Sequence, residues 1–174
     1  MNRVNEWESL YQEYGDDVYR FLMYFIGNRN DAEDLLNETF IKVFRNLHQF
    51  DNRSGIKTWI LSISRNVALD HIRKKERLKA LNLVLQKEPV DDPQLPDHLL
   101  QMNERKRILY EAIQSLIPNY RIVVILRGIQ EFSLAEIASI LGWKESKVKI
   151  TLHRAMKALR EILEKEVALY GMDT

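Results

Sequence analysis

A chain of 174 residues with a formal net charge of +1 has no overall field to attract nucleic acid, so such binding would require local clusters of Lys and Arg. Its 45% apolar and 29% charged residues are typical of a globular protein and exclude a disordered or collagen-like chain. The absence of cysteine excludes disulfides, thiolate zinc sites and thiol nucleophiles, and fits a reducing compartment.

The N-terminal residues and the apolar runs indicate neither a secretory signal nor a membrane span. Residues 1–17 lack the basic and then apolar order of a signal peptide. The longest apolar runs, FLMYFI and IVVIL, are far shorter than the ~20 residues that cross a bilayer. We therefore expect a soluble, cytoplasmic protein.

Apolar residues recur at helical spacing from Trp7 to Phe25, with Gly15-Asp16-Asp17 in the middle. A glycine followed by two acids is typical of a break, so two helices or one kinked helix are predicted here. Asn30 is expected to cap the next helix, with Asp31 and Glu33 at the positive end of its dipole. The inward stripe predicted for that helix is Leu36, Phe40, Val43, Phe44 and Leu47.

A further helix is predicted after the polar loop of residues 51–55, and it ends in the basic run HIRKKER. Trp59 falls on its apolar face, where a periodic apolar position is more often buried than used to stack on a base. That face consists of Ile56, Trp59, Ile60, Ile63 and Val67.

Residues 88–97, EPVDDPQLPD, contain three of the four prolines and no helical period. We interpret residues 79–102 as a flexible linker between a domain of residues 1–78 and a domain of residues 103–174. No alternating strand pattern of useful length occurs in the sequence. The predicted fold class is all-α, with two small helical domains joined by a Pro-containing linker.

The second half begins with a helical pattern that stops at Pro118. Proline is well placed to start the next helix, because its missing N–H is not needed there. Gly128 is expected near the end of that next helix.

Residues 132–153, FSLAEIASILGWKESKVKITLH, predict a helix-turn-helix. Ser133 and Glu136 form a capping box, so the first helix should begin at Leu134. Gly142 then supplies the turn, and the second helix is expected to begin near Glu145. The inward face of that second helix is predicted to be Val148, Leu152, Ala155 and Leu159.

Between Lys144 and Arg160 the chain has six Lys or Arg against a single Glu. A charge run usually marks a solvated helix face, and that interpretation remains open. A short helix, a glycine turn and a basic amphipathic helix are also the arrangement that places a helix in the major groove, with its first residues at the base edges. We favour DNA binding.

Two stretches resemble the sigma-70 family of bacterial transcription initiation factors. DAEDLLNETFIKVFRNLHQF and FDNRSGIKTWILSISRNVALDHIRKKER look like region 2, and IQSLIPNYRIVVILRGIQEFSLAEIASILGWKESKVKITLHRAMKALR looks like region 4. The order of the two regions, and the lack of other domains between them, is similar to the small extracytoplasmic-function class. The resemblance implies binding to core RNA polymerase and to promoter DNA.

In that family the helix at DAEDLLNETF docks on a coiled coil of the largest polymerase subunit. The residues that the resemblance assigns to docking form an acidic surface, which we expect to contain no Lys or Arg and to suit a basic partner. Dipole complementation and solubility would also explain Asp31 and Glu33, but they explain Glu38 less easily. A metal site is disfavoured because no His joins these carboxylates. The set is Asp31, Glu33, Asp34, Glu38 and Phe40.

The resemblance also implies that the loop and helix from Asp51 to Arg77 read the minus-ten promoter element by capturing a base flipped from the non-template strand. Polar loop side chains suit hydrogen bonds to an extruded base, and polar residues along one helix edge suit a passing strand. The residues expected to do this are Asn52, Arg53, Ser54, Lys57, Asn66, Asp70 and Arg73.

The second helix of the helix-turn-helix would read the minus-thirty-five element. Here the chain has KVKITLHRA where the family pattern resembles TVKSRLHRA, so the scaffold positions match while the reading positions differ. Ile150 could contact a thymine methyl group, and Lys147 or Lys149 a guanine edge or a phosphate. The expected DNA-reading set is Ser146, Lys147, Lys149, Ile150, His153 and Arg154.

The resemblance further implies an anti-sigma partner, which in this class is often membrane-anchored, and Tyr11, Phe21 and Met23 are its candidate apolar contacts. No cofactor, metal, small-molecule substrate or catalytic residue is expected. An enzyme is disfavoured because the histidines are scattered and no nucleotide-binding or nucleophile motif occurs. A stand-alone dimeric helix-turn-helix regulator would leave the acidic helix without a purpose. The four histidines are His48, His71, His98 and His153.

Overall fold

The computed structural model of the protein describes residues 3–86 and 101–170. Every regular element within these ranges is helical, which confirms the predicted all-α fold. A 3₁₀ turn at Leu47–Gln49 follows the second helix, and a π-helical turn at Ile125–Ile129 follows the fifth. The helices are α1 (Arg3–Ile26), α2 (Arg29–Asn46), α3 (Ile56–Val84), α4 (Glu104–Ser115), α5 (Pro118–Val124), α6 (Leu134–Leu141) and α7 (Glu145–Tyr170).

The first helix is continuous, so the predicted break at Gly15-Asp16-Asp17 is wrong. Gly15 is buried, and a Cβ there would lie 3.6 Å from the ring of Tyr11. A glycine inside a helix costs roughly 1 kcal/mol relative to alanine. Burial of Val18 and Phe21, one turn and two turns further along, outweighs that cost.

The second helix begins earlier than predicted. Asn28 is the N-cap, and its side chain accepts a hydrogen bond of 3.0 Å from the backbone N–H of Asp31, so the expected cap at Asn30 is wrong. Gly27, with a left-handed φ of 78°, turns the chain so sharply that one further residue suffices before α2. Phe44 is 39% exposed because it lies at the edge of a buried face centred on Thr39, which corrects its predicted inward position.

The local signals in the second half are confirmed. Pro118 is the first residue of α5. Ser133 caps α6, and its side chain and that of Glu136 complete the capping box. Gly142 ends α6 with a left-handed φ of 64°, and α7 begins at Glu145. Since each of these features depends only on residues three or four apart, the sequence alone was enough to predict them.

Helices α1–α3 form a first module and α4–α7 a second, and the two modules pack against each other. Helix α1 contacts α4 and α5, and α3 contacts α6. The buried apolar residues of both modules belong to one continuous cluster. Helix α3 continues to Val84, inside the predicted linker, whereas linker residues 87–100 lie outside the described ranges. The domain boundaries therefore stay a prediction.

Ser133→Ala should destabilise the protein by about 1 kcal/mol, because the variant leaves the first N–H groups of α6 without their cap. Hydrogen bonding from the Ser133 backbone and side chain holds the pKa of Glu136 below its ordinary value of 4.5. This lowered pKa means that the capping contribution is present above pH 4.5 and is lost as the pH falls through the lowered pKa. Urea unfolding of Ser133→Ala at neutral and acid pH, beside the native protein, measures both effects.

Ser139→Ala is the matched control, because Ser139 is exposed on the same helix and its side chain makes no capping hydrogen bond. Its free energy of unfolding should stay within about 0.5 kcal/mol of the native value. Equal losses in the two variants would contradict the role of the cap.

Candidate nucleic-acid interface

The first turns of α7 present their polar side chains to solvent. Val148 and Ala155 are fully buried, Leu159 is 6% exposed and Leu152 is partly buried, which confirms the predicted inward face. The opposite side of the helix is exposed. All six predicted reading residues are exposed, namely Ser146, Lys147, Lys149, Ile150, His153 and Arg154.

Trp143 organises the start of this face. Its backbone N–H donates to the carbonyl of Ala138 at 3.0 Å, which closes the turn after α6. The ammonium of Lys147 lies 4.1 Å from the centroid of the Trp143 ring, a cation–π contact. The tryptophan therefore holds Lys147 in position on an otherwise mobile four-carbon stem. Sequence reasoning assigned Trp143 no role, although its spacing of four residues from Lys147 was a usable signal.

The loop before α3 is held by Asp51. The Asp51 carboxylate accepts the backbone N–H of Arg53 at 3.1 Å and pairs with the Arg53 guanidinium at 3.0 Å. Asn52 has a left-handed φ of 58° and is exposed, and Ser54 is partly buried. This turn projects the Asn52 amide outward, where a displaced base could reach it.

Lys57 differs from the other predicted minus-ten residues because its partners lie on other elements of the fold. Its ammonium is 3.1 Å from the carboxylate of Asp17 on α1. It also lies 5.3 Å from the ring centroid of Phe132, which belongs to the second module. The second module therefore covers part of the surface predicted to meet promoter DNA.

Further along α3, Asn66, Asp70 and Arg73 are exposed on one edge of the helix, as expected from their spacing. Asn66 accepts a hydrogen bond of 3.0 Å from Arg65, and Asp70 pairs with Arg73 at 3.5 Å. Burial, followed by repulsion from Arg73, lowers the pKa of Arg65. Trp59 is partly buried beside Phe50, with 5.2 Å between ring centroids.

The acidic face of α2 is paired with basic groups, so the expectation that it contains no Lys or Arg is wrong. Asp31 accepts from His71 at 3.1 Å and from Lys75 at 3.0 Å, both on α3. Two further ion pairs join residues four apart on α2. Their basic members, Arg29 and Lys42, flank the run DAEDLLNETF, which itself contains no Lys or Arg. They are Arg29 with Glu33 at 2.9 Å and Lys42 with Glu38 at 3.0 Å.

Asp34 and Phe40 complete the predicted docking set in opposite ways. Asp34 is exposed and forms no ion pair within the described ranges. Phe40 is 1% exposed, and its ring centroid is 4.8 Å from that of Tyr11. The phenylalanine supports the acidic face from inside and does not lie on it.

The prediction that Phe21 and Met23 contact an anti-sigma partner is wrong. Phe21 is fully buried and Met23 is 5% exposed, because both lie on the side of α1 that faces the core. Tyr11 is partly buried. Periodicity alone could not separate core from surface on this helix, where apolar residues occupy every position from Phe21 to Ile26.

Within residues 3–86 and 101–170, no cluster of three His, Asp or Glu is arranged to hold a metal ion. His98 lies outside these ranges. Among the described helices, none combines the length and apolar character of a membrane span.

Two sequence profiles match the chain in the order of its modules. Sigma-70 region 2 matches residues 10–78, and Sigma-70, region 4 matches residues 106–159. The chain is 42% identical over 161 residues to the ECF RNA polymerase sigma factor SigX of Bacillus subtilis (strain 168), covering 90% of this chain and 83% of that protein. It is 33% identical over 158 residues to SigW of the same organism, with 86% and 84% covered.

Solved structures share the fold. The sigma factor RpoE in complex with the anti-sigma factor NepR, from Bartonella quintana, superimposes with a TM-score of 0.75 at 22% identity over 91% of this chain and 97% of that one. CnrH in complex with the cytosolic domain of CnrY gives a TM-score of 0.63 at 20% identity over 97% and 89%.

A region 2 module followed by a region 4 helix-turn-helix defines a sigma-70 transcription initiation factor. Within that class, the chain belongs to the extracytoplasmic-function, or ECF, sigma factors. It binds core RNA polymerase and directs it to specific promoters.

Asp31→Asn should lower the free energy of unfolding by about 1 kcal/mol, because it weakens the contacts that tie α2 to His71 and Lys75. Asp34→Asn is the matched control, since Asp34 is exposed on the same helix. Its stability should change by less than about 0.5 kcal/mol. Thermal or urea unfolding of both variants checks the difference, and equal stability would contradict a structural role for Asp31.

Proposed function

We propose that the two modules divide promoter recognition between them, with α7 reading the minus-thirty-five element and the region from Asp51 to Arg77 reading the minus-ten element. The observation that carries this proposal is the exposed basic face at the start of α7, set on a helix whose opposite side is buried. In a helix-turn-helix these first turns are the ones that reach base edges. With a net charge of only +1, the clustering of Lys and Arg matters more than the total.

In the minus-ten interface, Asn52, Arg53 and Ser54 bind the extruded base and Lys57 binds the strand backbone. The exposed edge of α3 guides the strand past Asn66, Asp70 and Arg73. The exposed Asn52 amide at the tip of the Asp51 turn supports this assignment. Lys57 can take part only after it leaves Asp17 and Phe132.

We infer that the acidic face of α2 docks on a basic surface of core polymerase. Asp34 is the strongest candidate for a direct ion pair, because its carboxylate is exposed and is not paired with any residue that the structure describes. Glu33 and Glu38 contribute from half-exposed pairs on the same helix. Asp31 positions α2 against α3 and contributes mainly to the local negative field.

The chain acts without catalysis, cofactor or small-molecule substrate, in the cytoplasm, where its polymerase and template are. An anti-sigma protein is proposed as a further partner. RpoE was solved with the anti-sigma factor NepR, and CnrH was solved with the cytosolic domain of CnrY. Exposed apolar residues on the described surface, rather than Phe21 and Met23, would provide its contacts. They include Ile41, Phe44, Met156, Val167 and Leu169.

Transcription reconstituted from purified components tests the proposal. The chain alone should bind promoter DNA weakly, and core polymerase alone should start at no defined site. Together they should produce transcripts from a defined position. Tight, specific binding by the chain alone would instead support the stand-alone regulator.

Lys149→Glu should reduce promoter occupancy by the reconstituted holoenzyme at least tenfold, because it replaces attraction to DNA by repulsion on the reading face. Footprinting at several salt concentrations measures occupancy, and the salt dependence should be weaker in the variant. Lys165→Glu is the control, since it makes the same charge change at an exposed position further along α7. Equal occupancy for Lys149→Glu and native protein would remove Lys149 from the interface.

A further inference from the structure

The backbone of Trp143 is held by the end of α6. Its N–H donates to the carbonyl of Ala138 at 3.0 Å, and the N–H of Gly142 donates to the carbonyl of Ser139 at 3.4 Å. With the left-handed φ of 64° at Gly142, these two bonds form the Schellman arrangement that ends many helices. The residue that carries the indole ring therefore has a defined place after α6.

The start of α7 fixes the other side of the same turn. The carbonyl of Lys144 accepts from the N–H groups of Lys147 at 3.0 Å and Val148 at 3.2 Å. An apolar residue just before the cap of a helix commonly packs against the fourth helical residue, and Trp143 and Val148 occupy these two positions. Val148 is fully buried and Trp143 is partly buried. Two helices therefore determine where the ring lies.

Lys147 lies in the first turn of α7 and reaches back over this ring. Helical side chains lean toward the amino end of their helix, and the ammonium of Lys147 is 4.1 Å from the centroid of the Trp143 ring. A cation in the first turn opposes the positive end of the helix dipole, and the electron-rich face of an indole offsets this repulsion. Lys147 forms no ion pair with any residue in the described ranges. The ring, and no carboxylate, thus determines the position of this ammonium.

Lys149 provides the contrast. It is exposed on the other side of the buried Val148, and no aromatic ring of the described residues lies under its ammonium. A lysine on a flexible stem can follow any nearby phosphate, whereas a held lysine can serve only an acceptor at one place. The two lysines are therefore suited to different targets on DNA.

The edge of guanine matches a held ammonium. An ammonium has three N–H donors and no acceptor. With one side of the Lys147 ammonium against the ring, donors remain for two acceptors. In the major groove only guanine presents two adjacent acceptors, O6 and N7, whereas the other bases place a donor or a methyl group beside or in place of an acceptor. The first residues of a recognition helix are also the ones that reach base edges.

We propose that Trp143 makes Lys147 a base-reading residue, by holding its ammonium where it donates to O6 and N7 of a guanine in the minus-thirty-five element. The inference rests on the proposed function, in which α7 reads that element. Trp143 is a positioning residue, because it acts through the lysine. Lys147 stands where the pattern TVKSRLHRA has Thr, so this guanine preference distinguishes the chain from proteins with that pattern.

Selection from a random-sequence DNA library tests the proposal. Holoenzyme reconstituted from the chain and core polymerase is incubated with the library, and the bound fragments are sequenced. The native chain should select a minus-thirty-five motif in which guanine is favoured about tenfold at one base pair, as expected of a good base contact. Lys147→Met should reduce that preference to less than about twofold and leave the rest of the motif in place.

The ring is tested at the same base pair. Trp143→Leu should weaken the guanine preference, because it keeps an apolar side chain and removes the π face. Trp143→Phe should retain part of the preference, since a phenyl ring attracts a cation less strongly than an indole. The double variant of Trp143→Leu with Lys147→Met should lose no more at this base pair than Lys147→Met alone. A merely structural role for Trp143 would instead weaken every position of the motif.

Lys157→Met is the matched control, because it removes the same charge at an exposed position further along α7. Its selected motif should match the native motif. Circular dichroism verifies that the helices of each variant persist. Lys147→Met and Trp143→Phe both keep an aromatic ring in the turn, so they carry the test where Trp143→Leu fails to fold.

The outcomes separate this inference from the proposed function. Equal weakening of all sequences by Lys147→Met would show a phosphate contact and overturn the inference. A guanine preference that persists in Trp143→Leu but not in Lys147→Met would overturn the role of the ring. A native holoenzyme that selects no minus-thirty-five motif would contradict the assignment of α7 itself, whereas a native motif that is insensitive to both residues would contradict only this inference.

Discussion

The guanidinium of Arg121 satisfies carbonyls at the ends of two helices that belong to different modules. Buried carbonyls without a donor cost roughly 1–3 kcal/mol each, so the carboxyl end of α1 in the first module is left without this donor when the second module is absent. The packing of α6 on α3 and the burial of Gln130 belong to the same contact between the modules. The packing between the modules also covers Lys57, which lies between Asp17 of the first module and Phe132 of the second.

The chain has a net charge of only +1, so its positive charge can favour DNA only where it is concentrated locally. Its basic face at the start of α7 is exposed, while Lys57 is neutralised by Asp17 and the acidic groups of α2 are largely paired with bases. Such a molecule has little long-range attraction for random DNA. Promoter specificity then depends on placing the two DNA-reading surfaces at the right separation. This fits a factor that works as a subunit of RNA polymerase.

Local features were predictable and long-range ones were not. Ser133, Pro118 and Gly142 act through neighbours three or four residues away, so their caps and turns could be predicted from the sequence. Gly15 resembled a break because its cost is local, whereas the packing that offsets it is not. The pairs of Asp31 with α3, and the cap of α1 by Arg121, join residues forty or more positions apart. No periodicity indicates such contacts. The DNA-reading residues of α7 were predicted from a family resemblance, and the structure adds that all of them are exposed.

Small-angle X-ray scattering of the free, monomeric chain tests the packing of the two modules most directly, because it requires neither labels nor substitutions. A compact chain of this length should have a radius of gyration of roughly 16 to 20 Å, the upper figure allowing for the long helices α3 and α7. Its distance distribution should have a single maximum. A radius well above ~25 Å with two maxima, as expected for modules separated by a flexible linker, would contradict this packing.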